Sequence, residues 1–211
     1  MQPAYVLLLS IVAIFVVLAV LKANAVKSNR EEQRRKNESN AAEAEYFFQK
    51  VQSRRGLEPV ATNLLLKAGE TAYHAESSDL FEPRAVRVGT NNRVGFRVAR
   101  GVWVGTGTSQ SESTDVWKKI DSGLLVITNR RIIFDGQMGT RSLEMSKIVS
   151  ISPQSDAIEV SVENRQKSSG FSCTNPFKVW AIGNTCARMP DPGKFGTDTI
   201  ELDFTLPSVA P

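Results

Sequence analysis

Few residues in this 211-residue chain have the types that catalysis or metal binding requires. The only histidine is His74, and the two cysteines are Cys173 and Cys186. Catalysis needs a nucleophile beside a base, paired carboxylates or a metal, and one histidine in an alternating segment supplies none of these. Two cysteines and one histidine also fall short of a structural zinc site. We therefore predict no catalytic residue, no metal site and no cofactor, and we expect His74 to be a strand residue half in contact with solvent.

A glycine-containing loop and the two cysteines are further candidate sites. Gly105-Thr106-Gly107 resembles a phosphate loop, but no Lys-Ser/Thr pair and no helix follow it, so we predict no nucleotide binding. Cys173 and Cys186 are expected to be small buried side chains in a reducing cytosol. They would become a disulfide candidate only if the domain were exported.

Basic side chains form the other candidate site. The net charge is only +4, and a nucleic-acid-binding domain is usually more basic, so we expect no nucleic-acid partner. Each basic side chain near an anionic membrane contributes about 1 kcal/mol of attraction. The residues expected to contact anionic lipid are Lys22, Lys27, Arg30, Arg34, Arg35, Lys36, Arg93 and Arg97. The strand arginines could join a wider rim with Arg84, Arg87, Lys118, Lys119, Arg130 and Arg131. The alternatives are a pure topology signal for the N-terminal group and a solvated polar face for the others.

Residues 1–22 are predicted to be a transmembrane helix, because residues 1–21 have no charged side chain and residues 4–21 are almost all apolar. The basic residues that follow should stay inside, which places the N-terminus outside and the C-terminal domain in the cytosol. A signal peptide cleaved after Ala25 is the alternative, since Ala23-Asn24-Ala25 fits a cleavage site. In that case an exported binding domain would remain.

Residues 23–56 are predicted to be a basic juxtamembrane segment and a stalk helix. Asn40 and Glu43 fit a helix-capping pair. An apolar stripe with spacings of three and four follows it, formed by Ala41, Ala44, Phe48 and Val51. We expect this stripe to pack within the chain or between copies, in preference to lying on lipid.

Residues 57–188 change to a period of two and are predicted to form about seven strands. The expected strands cover residues 70–75, 83–88, 93–104, the two arms of a hairpin at 122–136, 142–151, 158–162 and the segment from Phe171. Ser77-Ser78-Asp79 is read as a turn and residues 105–114 as a polar loop. The hairpin turn would place Asn129 at positive φ, and Gly101 would allow a bulge at Arg100.

A helix is predicted after the last strand, with Thr174 or Asn175 as its cap and Pro176 at its first position. It should pack on an open end or face of the sheet. Residues 189–211 form a tail rich in proline and glycine. Its alternating segment, residues 200–204, is expected to dock loosely, with an edge strand as the alternative.

This order of elements resembles the pleckstrin-homology-like barrel, in the bacterial version related to GRAM domains. The resemblance covers residues 64–187, and its motif residues are 123–134, 143–151, 156–158 and the strand from Phe171. It implies an α+β fold, with an antiparallel barrel or sandwich capped by a C-terminal helix, and an interaction or lipid-surface module without chemistry of its own. The basic pattern of phosphoinositide-binding members is not recognisable, so no lipid specificity is implied. We expect a non-enzymatic, single-pass membrane protein that presents this domain for protein–protein interaction or membrane-complex assembly.

Overall fold

The computed structural model describes the backbone of residues 3–99 and 102–204 and the side chains of residues 17–86 and 115–204. The fold is α+β, with a seven-stranded antiparallel sheet and a C-terminal helix, as the sequence predicted. The elements are α1 (Pro3–Arg54), β1 (Ala72–Ala99), β2 (Val102–Thr128), β3 (Arg131–Gly136), β4 (Gly139–Glu144), a 3₁₀ helix (Met145–Lys147), β5 (Ile148–Pro153), β6 (Ala157–Val162), β7 (Ser169–Ser172) and α2 (Pro176–Arg188).

The strands lie in the order β4-β3-β2-β1-β7-β6-β5, so β1 and β7 join an N-terminal and a C-terminal group of antiparallel strands. Helix α2 contacts β1, β2, β5 and β6, and it therefore covers one face of the sheet. Side chains between α2 and this face, such as Leu125, Ile132 and Ile158, have no exposed surface. This layer is the main hydrophobic core.

Strands β1 and β2 form a ribbon that is much longer than the rest of the sheet. β7 pairs with β1 at Leu80 and Phe81, and β3 pairs with β2 at residues 123–127. Among the described pairings, residues 82–99 and 102–122 therefore pair only with each other. The prediction of three separate strands and of a polar loop at 105–114 was wrong, because a ribbon outside the packed sheet does not need an apolar alternation. The bulge expected at Arg100 lies outside the described residues.

The turn predicted at Ser77-Ser78-Asp79 is also strand. The Asp79 N–H donates to the Ser172 hydroxyl at 2.8 Å, and the Ser122 hydroxyl donates to the Asp79 carboxylate at 2.7 Å. Hydrogen bonds across β1, β2 and β7 thus occupy the polar groups that resembled a turn signal. Turn-forming residue types do not break a strand when neighbouring strands satisfy them.

The strand predicted over residues 142–151 is two strands around the 3₁₀ helix. β4 and β5 form opposite edges of the sheet, so the chain has to turn between them. Met145 begins the turn, is buried, and donates its N–H to the Arg130 carbonyl at 2.8 Å. The alternating pattern did not reveal this crossing.

Helix α1 is one continuous helix and not the two separate helices expected. The predicted cap at Asn40 is wrong, because the residue lies inside the helix and its carbonyl accepts from Asn175 Nδ2 at 3.1 Å. The predicted stripe is confirmed as a packing face within the chain, since Ala44 and Phe48 are at most 4% exposed. The described part of the chain contains no helix with an apolar stretch sufficient for a membrane crossing. Side chains 1–16, which make up most of the predicted span, lie outside the described set.

Helix α2 and the tail complete the fold. Asn175 caps α2 by accepting from the Lys178 N–H at 3.1 Å, and Pro176 is its first residue, which confirms the predicted start. The Phe204 ring lies 5.3 Å from that of Trp180, and Gln52 Nε2 donates to the Ile200 carbonyl at 2.8 Å. Residues 200–204 are docked between α1 and α2 and are not a strand, so the edge-strand alternative was wrong.

Candidate functional site

The turn between β2 and β3 carries the basic pair Arg130-Arg131. Among the described non-glycine residues only Arg55 and Asn164 have positive φ, so the expectation for Asn129 was wrong. The Thr128 hydroxyl closes the turn instead by accepting from the N–H groups of Arg130 at 3.1 Å and Arg131 at 2.9 Å. A side-chain acceptor replaces the positive φ that a two-residue turn usually needs.

Arg131 points away from solvent and holds Glu70. Its guanidinium donates to the two carboxylate oxygens of Glu70 at 2.8 and 3.0 Å, and the Glu70 side chain has no exposed surface. Burial disfavours the charged carboxylate, but the hydrogen bonds from Arg131, the Lys67 N–H and the Thr128 hydroxyl lower the pKa of Glu70 to about 2. The contact is a buried, bidentate ion pair that joins the start of β1 to the turn. Arg131 therefore belongs to the scaffold and not to a cationic rim.

Other members of the predicted rim are also paired. Arg84 Nη2 lies 3.0 Å from a Glu82 carboxylate oxygen, and Lys119 Nζ lies 2.8 Å from one of Asp79. Arg84, Lys119 and Arg131 thus meet carboxylates of their own chain. Lys118 and Arg130 are exposed, whereas the side chain of Arg87 lies outside the described set.

The residues predicted to contact anionic lipid fall on two elements. One group is exposed along α1 and comprises Lys22, Lys27, Arg30, Arg34, Arg35 and Lys36. Lys27, Arg30 and Arg34 follow spacings of three and four and therefore share one side of the helix. Arg93 and Arg97 lie on the β1–β2 ribbon, in register with Gly107 and Trp103, and their side chains are outside the described set.

The same part of α1 exposes large apolar side chains. Residues 17–32 are all exposed, and Val17, Leu18, Val20 and Leu21 each expose more than half of their surface. The helix meets the domain at Gln33, whose Nε2 lies 3.3 Å from the Ser155 carbonyl. We call residues 17–32 the shaft. An exposed aliphatic group of this size usually marks a surface that another molecule or a membrane covers.

The histidine and the two cysteines, which are the residue types best suited to catalysis, are either paired or shielded by burial. His74 lies in β1, as expected, but only 15% of its side chain is exposed and not the half that was predicted, and its Nε2 lies 3.0 Å from Glu76. Burial opposes the charge of Glu76, but hydrogen bonds from His74 and the Thr174 N–H lower the pKa of its carboxyl. Cys173 and Cys186 are free, and burial raises the pKa of both thiols, which makes them poor nucleophiles.

A pocket on the outer face of the sheet, beside Trp117, was not foreseen from the sequence. It depends on the pairing of four strands, and no short motif marks it. Across the described residues, no three histidine, cysteine or carboxylate groups are arranged to hold a metal ion. No protein-family model, no curated protein and no solved structure matches this chain.

Proposed function

We propose that this chain is a non-enzymatic, single-pass membrane protein with its N-terminus outside and its C-terminal domain in the cytosol. The domain would serve protein–protein interaction or the assembly of a membrane complex. The observation that carries the proposal is the shaft, where exposed aliphatic side chains are followed directly by exposed basic ones. This is the order expected where a helix leaves the bilayer on the cytoplasmic side.

The free energy gained by burying apolar side chains favours a membrane or a partner around the aliphatic, N-terminal end of the shaft. Burying one valine or leucine side chain is worth about 1.5–3 kcal/mol. Several kcal/mol of free energy would therefore be gained if the exposed side chains of Val17, Leu18, Val20 and Leu21 were buried. The uncharged residues 4–16 precede them directly in the sequence, so a bilayer would cover both segments at once.

The pleckstrin-homology-like assignment of the domain is part of the proposal. Seven antiparallel strands and one C-terminal helix over the sheet are the elements that this resemblance implies. The binding role is supported by the contacts of His74 with Glu76 and of the buried Glu70 with Arg131, and by the raised thiol pKa of Cys173, which leave these groups poorly suited to catalysis. Fold alone does not specify the partner.

Membrane fractionation of the full chain tests the anchor. We expect the wild type in the alkali-resistant membrane pellet, and the Ile14→Asp/Leu18→Asp variant in the soluble fraction. The reason is that a charged residue near the centre of a span costs about 2.5–3.5 kcal/mol. Leu65→Asp is the matched control, because Leu65 is 97% exposed but lies outside the shaft.

A wild-type chain in the soluble fraction would overturn the anchor, as would a double variant that stays in the pellet. A reporter fused after Pro211 tests the orientation separately. At this position we expect activity from a reporter that works only in the cytosol. Activity of a reporter that works only outside would contradict the proposed topology.

Binding of anionic lipid at the inner leaflet is a second candidate, favoured by the exposed row Lys27, Arg30 and Arg34. The soluble Ile14→Asp/Leu18→Asp variant can be floated with vesicles of neutral lipid or with vesicles containing phosphatidylglycerol. We expect binding only to the anionic vesicles, and loss of that binding at high salt. Replacing the three basic residues by glutamine should weaken it about a hundredfold, at about 1 kcal/mol for each charge.

The matched control for this test removes the same charge elsewhere, by replacing the exposed residues Arg165, Arg188 and Lys194 with glutamine. It should leave flotation unchanged if the row Lys27, Arg30 and Arg34 is the contact. Equal loss in both triple variants would point to net charge alone. Flotation that ignores lipid charge would remove the candidate.

A further inference from the structure

The pocket beside Trp117 lies on the face of the sheet opposite α2. Glu159 of β6 pairs with Gly170 of β7, and Gly170 pairs with Phe81 of β1. Residues directly opposite in neighbouring strands project from the same face. The adjacent row, Ile158, Phe171 and Leu80, is buried in the core. The row with Glu159 and Phe81 therefore faces outward.

Gly170 leaves a gap in this row, and Trp117 fills it. A Cβ atom at Gly170 would lie 3.2 Å from Cζ3 of the Trp117 indole and 3.4 Å from Cβ of Phe81. Without a side chain at Gly170 the indole can lie close against the strand. Trp117 is still 45% exposed, so part of its aromatic surface remains open to a ligand.

The pocket has a volume of about 390 Å³ and combines aromatic with acidic walls. The walls that matter for recognition are Phe81, Trp117, Asp156 and Glu159. Glu159 is held in place, because its two oxygens accept from the Ser168 hydroxyl at 2.5 Å and from Gln154 Nε2 at 3.2 Å. A carboxylate has about four lone-pair positions, so both oxygens keep capacity for a further donor.

Among the described residues, the lining contains two carboxylates and no lysine or arginine, although the chain has a net charge of +4. Two lysines near this end of the ribbon have other contacts. Lys119 lies 2.8 Å from the Asp79 carboxylate, and Lys167 Nζ donates to the Pro83 carbonyl at 2.9 Å. The pocket is therefore a locally acidic, aromatic site that is complementary to a cation.

We propose that this pocket binds an arginine side chain of a protein partner. A planar guanidinium can stack on the exposed indole of Trp117 and donate two parallel hydrogen bonds to Glu159. A lysine ammonium group is compact and not planar, so it does not provide both the stacking contact and the two parallel hydrogen bonds. The proposal rests on the interaction role proposed above, but it does not need the membrane anchor.

Titration of the purified full chain in nonionic detergent tests the site. The probe is a pentapeptide with one arginine between glycines, followed by the NMR signal of the Trp117 indole N–H, which a Trp117→Phe variant assigns. We expect a saturable shift with a dissociation constant in the millimolar range. The same peptide with citrulline, which is uncharged and similar in shape, should bind at least tenfold more weakly.

Glu159→Gln removes the charge at nearly constant shape, and we expect it to weaken the arginine peptide at least fivefold. The matched control is Glu163→Gln, because Glu163 is exposed in the turn after β6 and does not line the pocket. Gly170→Ala should also weaken binding, since the added methyl group displaces the indole.

Equal binding of the arginine and citrulline peptides would overturn the proposal, and so would unchanged binding by a folded Glu159→Gln variant. Tighter binding of phosphocholine than of the arginine peptide would also overturn it, because the occupant would then be a lipid headgroup. Failure of this titration leaves the fractionation of the anchor untouched, so the two proposals fail separately.

Discussion

Glu70 and Glu159 are two carboxylates held by hydrogen bonds, but their partners differ. The Glu70 side chain has no exposed surface and meets Arg131 of its own chain in a bidentate contact. Glu159 lies on the outer face, and its hydrogen-bond partners among the described residues are the neutral side chains of Ser168 and Gln154. A charge neutralised inside the fold stabilises that fold. A charge oriented by neutral donors at a pocket remains available to a ligand.

Glu70→Gln should give the largest effect, because it leaves the Arg131 guanidinium in a mostly buried site without its counter-ion. Removing one partner of a buried pair typically costs about 3–5 kcal/mol of unfolding free energy. Chemical denaturation of the full chain measures this loss. Glu159→Gln should change stability by less than about 0.5 kcal/mol. Equal losses in the two variants would erase the distinction between the two carboxylates.

The dependence of the unfolding free energy on acid pH tests the role of Glu70 a second time. The folded pKa of Glu70, about 2, lies below its ordinary value of 4.5, so on acidification the unfolded chain takes up this proton first. The contribution of Glu70 is complete above about pH 5 and is lost as the pH falls toward 2, and it amounts to about 3 kcal/mol. The stability gap between wild type and Glu70→Gln should therefore shrink over this range. A gap independent of pH would contradict the assignment, since the other carboxylates titrate in both proteins.

Gly170→Ala should have only a small effect on stability. The added Cβ meets a half-exposed indole that can move outward, so we expect a cost below about 1 kcal/mol. Denaturation of this variant beside its peptide titration separates the two properties. A large loss of stability would mean that the Trp117 contact belongs to the scaffold, in the way that the Glu70 contact does.

Features set by neighbours in sequence were predictable. Asn175 followed by Pro176 specifies a helix start through local hydrogen bonding, and the structure has that start. Ala41, Ala44, Phe48 and Val51 specify a packing face because a helix repeats every 3.6 residues. The α+β class followed from many short alternating segments and one late helix.

Features set by distant pairing were not predictable. The contact between Glu70 and Arg131 joins residues 61 positions apart, and nothing near either residue announces it. Polar residues 105–114 resembled a loop, yet they are strand because residues 86–95 pair with them. The pocket beside Trp117 needs the register of β6, β7 and β1, which a single sequence does not reveal.

The continuity of α1 has a mechanical consequence. Between Ala4 and Arg54 the sequence has no glycine and no proline, the residues at which helices usually kink, and the last turns of α1 are packed into the domain. We therefore expect a rotation of the N-terminal end to turn the outer face as well, because no residue that usually kinks a helix lies between them. Inserting one residue into the shaft should turn the Trp117 face by about 100° and move it by about 1.5 Å. The number of residues in the shaft would thus determine the direction in which the domain presents the Trp117 face.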